Sequence, residues 1–246
     1  MTNTTAIELK HINKSYGDVP VLRDFNLEIQ KGDLVTAIGS SGCGKTTVLK
    51  LMNGLLSPDS GQVLIEGQDI ARIEQDDLRQ HMGYVIQGIG LFPHMKIKDN
   101  LAYVLKLQKR DHPFIKQRIR ELLDLVHLSE DLLHRYPHEL SGGQRQRVGL
   151  GRALAAKPEI ILMDEPLGAV DEITKHELQT EILNIHQATR TTIFFITHDI
   201  QEALTLGSKL MVMKDGTIHQ YDEPEYIVKN PSTDFTAKLI GQAYGQ

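Results

Sequence analysis

The chain has 246 residues, 40% of them hydrophobic, a formal net charge of −5 and a single cysteine, Cys43. A chain of that length buries roughly 70–75% of its unfolded surface in one α/β domain, or in one domain with a subdomain, and needs no disulfide or metal to stay folded. The acidic balance without a long basic run argues against nucleic-acid binding, and no apolar stretch approaches the roughly 18 residues that read as a bilayer span.

The opening MTNTTAIELK lacks a basic segment followed by an apolar one, so no secretion signal is expected and the chain reads as cytosolic. IELKHI (7–12) and VLRDFNLEI (21–29) alternate apolar and polar residues, as half-buried strands do. LVTAIG (34–39) is a buried-strand run ending in a glycine loop, and a helix is expected from near Lys45 to near Gly54. SPDSG (57–61) is a turn, QVLIEG (62–67) a strand, and MGYVIQ (82–87) a strand ending in a polar residue.

From 98 to 157 the strand patterns give way to helical periodicity, in KDNLAYVLKLQ, IKQRIRELLDLVHL and QRQRVGLGRALAAK. The spacing predicts a helical insertion. Strands return at EIILMDE (159–165), TTIFFITHD (191–199) and KLMVMKDG (209–216), with a helix from about Glu172 to Ala188 between the first two. Such alternation implies a mostly parallel sheet with helices on both faces, and chemistry at the carboxyl ends of its strands.

Gly39-Ser40-Ser41-Gly42-Cys43-Gly44-Lys45-Thr46 satisfies G-x-x-x-x-G-K-[ST], with a strand before it and a helix after it. The glycines let the backbone wrap phosphates, Lys45 supplies a charge to the β- and γ-phosphates, and the Thr46 hydroxyl binds Mg²⁺. Cys43 reads as a small filler rather than a reactive thiol. IILMDEP (160–166) runs four apolar residues into two acids, which places Asp164 near Mg²⁺ and Glu165 where it can orient or deprotonate a water. A second glycine loop, LSGGQ (140–144), opens a helix-like run and has an anion-binding design without a lysine.

With these motifs in this order, the chain resembles the nucleotide-binding subunits of ATP-binding cassette (ABC) transporters, from about Ile7 to Ile240. LSGGQ is that family's signature. The resemblance implies an α/β P-loop NTPase (RecA-like) core with a mostly parallel sheet, an N-terminal antiparallel β subdomain and a helical signature subdomain over about 90–157. The whole of 1–246 is then one ABC ATPase domain, and the pair of C-terminal CBS domains that many osmoprotectant cassettes carry is expected to be missing.

The resemblance also implies why there are two loops. Two cassettes stack head to tail, and each ATP lies between the P-loop of one chain, continued by Thr47, and Ser141, Gly142, Gly143 and Gln144 of the other. Residue by residue, Tyr16 matches the aromatic that stacks on adenine, although a lone tyrosine also suits surface or core packing. Gln87 matches the glutamine that contacts Mg²⁺ and the water, and Asp171 the aspartate that communicates across the dimer while also suiting a helix N-cap. His198 matches the histidine that senses γ-phosphate; the remaining histidines, His81, His94 and His138 among them, read as surface residues. ATP and Mg²⁺ are the implied cofactors, and Thr46, Gln87 and Asp164 the implied metal ligands. Glu165, His198, Lys45 and Gln87 would carry the hydrolysis.

A cassette on its own chain resembles an importer subunit, lying on the cytoplasmic face of the membrane against permease subunits that a substrate-binding protein serves. The pairing with a second cassette is expected to be a homodimer. IGLFPHM (89–95) and ALAAKPEIILMDEPLGAVDEIT (153–174) look closest to cassettes for glycine betaine, carnitine, choline and related quaternary amines. Ile89, Leu91 and Phe92 would then form part of the permease-docking surface, or alternatively core. Gly88, Leu167, Val170 and Glu172 depart from the family pattern near the docking and Asp171 segments. Import of polar amino acids, a soluble non-transport ABC ATPase and a P-loop small-molecule kinase are the competing readings; the last leaves LSGGQ and His198 without a role.

Overall fold

A computed structural model describes residues 4–88, 90–168 and 170–243, and of Gln242 and Ala243 only the backbone. In chain order the elements begin with β1 (Thr5–Tyr16), β2 (Val19–Gln30), β3 (Leu34–Gly39), α1 (Lys45–Met52), β4 (Ser60–Ile65), β5 (Gln68–Asp69), α2 (Gln75–Gln80) and β6 (Met82–Val85). Three helices follow, α3 (Ile97–Leu107), α4 (His112–Leu125) and α5 (Gly142–Leu154). The chain continues through β7 (Ile160–Asp164), α6 (Glu172–Thr189), β8 (Thr192–Ile196) and α7 (Ile200–Leu206). It closes with β9 (Lys209–Lys214), β10 (Thr217–Asp222), α8 (Pro224–Lys229) and α9 (Asp234–Ala243).

The strands form a six-stranded sheet in the order β10-β9-β3-β8-β7-β6 and a four-stranded antiparallel sheet in the order β2-β1-β4-β5. Every pairing in the larger sheet is parallel except that of β10 with β9. This is the P-loop NTPase architecture, with a mixed sheet, an N-terminal antiparallel sheet and helices. In β3, β7 and β8 the apolar run is continuous because both faces are covered. Ile161, Met163, Ile193 and Phe195 point to the core shared with α3, α4, α5 and α6. Their alternates Ile160, Leu162, Phe194 and Ile196 point to the core shared with α1 and the antiparallel sheet. The strand order sets β3, β8 and β7 side by side, so the loops leaving their carboxyl ends meet.

The helices between β6 and β7 bury one stripe each: Ile97, Leu101 and Leu105 on α3, Ile119, Leu122 and Leu123 on α4, Val148 and Leu154 on α5. Asp111 caps α4 by accepting the Phe114 N–H at 2.9 Å, with proline in the first turn.

Four expectations need correction. β6 stops at Val85, so Gln87 lies in the turn beyond it, where Gly88 has φ 80. β4 begins at Ser60, inside the expected turn. The alternation of β1 breaks at His11, which has φ 51 in a bulge whose ring Nδ1 meets Asp24 Oδ1 at 2.7 Å. Two histidines, His186 and His219, are half-buried rather than on the surface; His186 Nε2 lies 2.8 Å from the Gly32 carbonyl oxygen.

Candidate functional site

The P-loop leaves β3 at Gly39, where a Cβ would sit 2.0 Å from the Met213 carbonyl oxygen, so only glycine fits between β3 and β9. Gly44 (φ 105) sits against Leu22 and opens α1. Gly42 (φ 74) has open space where a side chain would be. Between them Ser40, Ser41 and Cys43 complete the loop, with the Cys43 N–H donating to the Ser40 carbonyl at 3.2 Å. Cys43 is buried, in keeping with a filler. Lys45 Nζ lies inside the curve, donating to the Gly39 and Ser40 carbonyls at 2.9 and 3.2 Å. The free N–H groups of the first turn of α1, at Lys45, Thr46 and Thr47, and the ammonium form an anion cradle.

Asp164 ends β7 and Thr46 opens α1, and their side chains meet: the Thr46 hydroxyl donates to Asp164 Oδ1 at 3.3 Å. Burial pushes the Asp164 carboxyl above its ordinary range; the Thr46 hydrogen bond opposes this, adjacent Glu165 adds to it, and Lys50 and Lys45 pull it down. A hydroxyl and a carboxylate beside a phosphate cradle are hard oxygen donors, which is the donor set of Mg²⁺ held by one carboxylate, phosphate oxygens and water. The residues therefore fit that ion.

Glu165 has φ 46, a left-handed conformation that non-glycine residues rarely adopt. Its N–H donates to the Ile196 carbonyl at 3.0 Å, and its own carbonyl accepts from the Gly168 N–H at 3.3 Å, which fixes the turn. The side chain is thereby aimed between two others. Gln87 Nε2 donates to Glu165 Oε2 at 2.9 Å, and His198 Nδ1 lies 3.4 Å from the same oxygen. Gln87 is thus joined to Glu165 rather than to the Thr46–Asp164 pair.

Tyr16 ends β1 at the tip of the β1–β2 hairpin and is 49% exposed, which leaves its ring available as a stacking surface. The same hairpin contacts the P-loop through Leu22.

The signature residues join a different neighbourhood. Ser141 caps α5: its hydroxyl accepts the Gln144 N–H at 3.2 Å, and Gln144 Oε1 accepts the Ser141 N–H at 3.0 Å. This reciprocal cap presents the backbone of Gly142 and Gly143. A Cβ on Gly143 would fall 2.6 Å from Thr174 Cγ2, so the turn abuts the start of α6. There Asp171 is the N-cap, accepting the Thr174 N–H at 3.0 Å and the Thr174 hydroxyl at 2.7 Å. Those hydrogen bonds hold its carboxyl below the ordinary range.

A groove of about 350 Å³ lies between β6 and the helical segment, lined by Tyr84, Ile86, Phe92, Tyr103 and Arg152 among others. The Phe92 and Tyr103 rings meet at a 44° tilt with 4.6 Å between centroids, and the Arg152 guanidinium lies 5.4 Å from the Phe92 centroid. Asn100 fixes this segment, accepting the Phe92 N–H at 2.8 Å and donating to the Met95 carbonyl at 3.1 Å. Leu91 packs on the helical core, whereas Ile89 lies outside the described residues. Sequence reasoning missed Lys175, Thr197, Asp199 and Glu202, which surround the His198 turn; Lys175 reaches Asp199 from 24 residues away, and no short motif marks the set.

The profile of the family described as ABC transporter matches residues 22–168. The chain belongs to the ABC transporter family. It is 46% identical, over 237 residues and 96% of its length, to the carnitine transport ATP-binding protein OpuCA of Listeria monocytogenes. It is likewise 46% identical to the glycine betaine/carnitine/choline transport ATP-binding protein OpuCA of Bacillus subtilis (strain 168) over 237 residues. The matched segment covers 60% of the first relative and 62% of the second, so the chain spans about three fifths of their length. Among solved structures it is similar to the dimeric post-hydrolysis state of the ATP-binding cassette MJ0796 bound to ADP and Pi, with a TM-score of 0.80 at 31% identity, covering 89% of this chain and 98% of that one.

Proposed function

We propose that the chain is the ATP-hydrolysing subunit of an importer, acting as a head-to-tail pair of identical cassettes, with 1–246 as a single ABC ATPase domain and about 90–157 as its helical subdomain. The observation that carries this is the meeting of Gln87 and His198 on Glu165, one residue from the Thr46–Asp164 pair. ATP would place its phosphates in the Gly39–Thr47 cradle and its adenine on Tyr16. Thr46 and Asp164 would hold Mg²⁺, with Gln87 as a further ligand only if it leaves Glu165, and the ion when bound would neutralise charge on the phosphates. Lys45 orients the β- and γ-phosphates. Glu165 takes the proton of the attacking water, Gln87 orients Glu165, and His198 holds the γ-phosphate side of the same space.

The separate placement of Ser141–Gln144 beside Asp171 supports a composite site, in which the signature backbone serves the nucleotide held by the partner's P-loop. The ADP-bound dimer among the similar structures supports the same pairing. The groove around Phe92 supports docking of a transmembrane permease, which would keep the cassette on the cytoplasmic face of a membrane. No helix among the described residues is long and apolar enough to cross one itself. The names of the relatives support a quaternary amine such as glycine betaine, carnitine or choline as the solute, delivered by a substrate-binding protein.

Phosphate release from ATP by wild type and Glu165→Gln tests the reading. The variant should still bind ATP while losing about 10²–10³ in turnover, the usual cost of one preorganised group. Wild-type turnover in the variant would remove Glu165 from its role.

A further inference from the structure

We propose that Lys175 is a positioning residue that keeps the turn carrying His198 in register with the turn carrying Asp171. The inference rests on the hydrolysis reading and adds to it how the histidine is held. His198 is poorly fixed by its own side chain, which is 69% exposed and whose Nδ1 lies 3.4 Å from Glu165 Oε2. Its place therefore depends on its two neighbours in sequence, and both are tied down. The Thr197 N–H donates to the Ala37 carbonyl of β3 at 3.2 Å, and the Thr197 hydroxyl oxygen accepts the Asp199 N–H at 3.0 Å. That hydroxyl donates in turn to Glu202 Oε2. Asp199 caps α7, accepting the N–H groups of Gln201 and Glu202 at 2.9 and 3.2 Å.

Lys175 closes the arrangement. Its ammonium pairs with the Asp199 carboxylate and lies 3.2 Å from Glu202 Oε1. The lysine side chain is 14% exposed and that of Glu202 only 4%, so the pairing is weakly screened by solvent. Lys175 is also bound to the Asp171 turn, because its N–H donates to the Asp171 carbonyl at 2.9 Å, one helical turn into α6. A displacement of Asp171 is thereby transmitted through Lys175 to both flanks of His198. Without the ammonium, Glu202 is a buried carboxylate with no counter-charge, facing a second carboxylate. Losing the pairing therefore loosens the turn.

The test compares steady-state ATP hydrolysis by wild type, Lys175→Met, Lys175→Arg and Glu202→Gln, with folding checked by circular dichroism. Lys175→Met should lose about ten- to a hundredfold in kcat, the scale of a misplacement of about 1 Å. Its KM for ATP should stay within about twofold of wild type, because the cradle is untouched. Lys175→Arg, which keeps the charge, should recover most of the loss. A folded Lys175→Met with wild-type kcat, a rise in KM in step with the fall in kcat, or failure of arginine to rescue would overturn the proposal. If Lys175→Met does not fold, Glu202→Gln decides in its place. It keeps an acceptor for Thr197 while removing one carboxylate from Lys175, and it should lower kcat without raising KM; unchanged kcat there overturns the proposal. A wild-type protein whose ATP turnover is insensitive to Lys45→Ala would instead defeat the hydrolysis reading, and this inference with it.

Discussion

Arg118 offers a sharp test of how the helical segment is held. Its side chain is buried and reaches from α4 to the end of α5, donating from Nη2 to the Leu154 carbonyl at 2.7 Å and from Nε to the Ala155 carbonyl at 3.0 Å. The Leu154 carbonyl also accepts the Lys157 N–H at 3.0 Å, so it keeps one partner without the arginine, whereas Ala155 is the C-cap of α5, where helical amides run out. A hydrogen bond from a charged donor contributes about 1.5–3 kcal/mol, so two give about 3–6 kcal/mol. The guanidinium also sits at the negative end of the helix dipole, worth about 0.3–1 kcal/mol more. Its pairing with Glu121 at 2.9 Å is part-buried, with the glutamate side chain 40% exposed, and contributes less than the two carbonyl contacts. Water takes over some carbonyl contacts in the variant, so Arg118→Met should lose about 3 kcal/mol. For a chain of this size that lowers Tm by about 6–12 °C. Urea denaturation and a thermal melt at pH 7 measure it, with ATP turnover per folded molecule unchanged. Arg118→Lys should recover about half, because one ammonium cannot serve both carbonyls as a planar fork does. A loss under about 1 kcal/mol for Arg118→Met would refute the capping argument.

Tyr16→Ala should raise KM for ATP about tenfold and leave kcat unchanged, as loss of one aromatic stack of about 1.4 kcal/mol requires; an unchanged KM would return Tyr16 to an ordinary surface position. The Asp199 carboxyl gives a pH signature. Burial works to raise it, but Lys175 and the amides of Glu202 and Gln201 outweigh burial and hold it below the ordinary carboxylate range. A lowered folded value means stabilisation that is present above the ordinary range and disappears as pH falls through the folded value. Wild type should therefore be more stable than Asp199→Asn at pH 7, and the two should converge in acid; a gap that persists below the carboxylate range would contradict the assignment.

Much of the site was legible because its residues sit at the ends of buried parallel strands. Leu34–Gly39, Ile160–Asp164 and Thr192–Ile196 are apolar runs with a sharp polar end, and the loops that leave them hold Lys45, Glu165 and His198. What was not legible depends on pairings distant in sequence. The order that sets β8 between β3 and β7 is a tertiary fact. Lys175 meets Asp199 and Glu202 only once α6 and α7 pack, and Arg118 finds its carbonyls only when α4 lies on α5. The bulge at His11 cancels the alternation that the strand otherwise shows. β10, half-buried at every position, has no alternation to read, and α2 and α7 are too short for a helical period to stand out.

The central claim is that one chain carries halves of two different sites. It is tested most directly by mixing two inactive variants, Lys45→Ala, which loses the P-loop charge, and Ser141→Arg, which blocks the signature cap. Each alone should fall about 10²–10³ below wild type in ATP turnover. In a mixed pair one site combines the intact P-loop with the intact signature turn, so an equimolar mixture should climb to about a quarter of the wild-type rate if pairs form at random and the two sites act independently. A mixture no faster than its parents would mean that the P-loop and the signature turn do not meet across two chains.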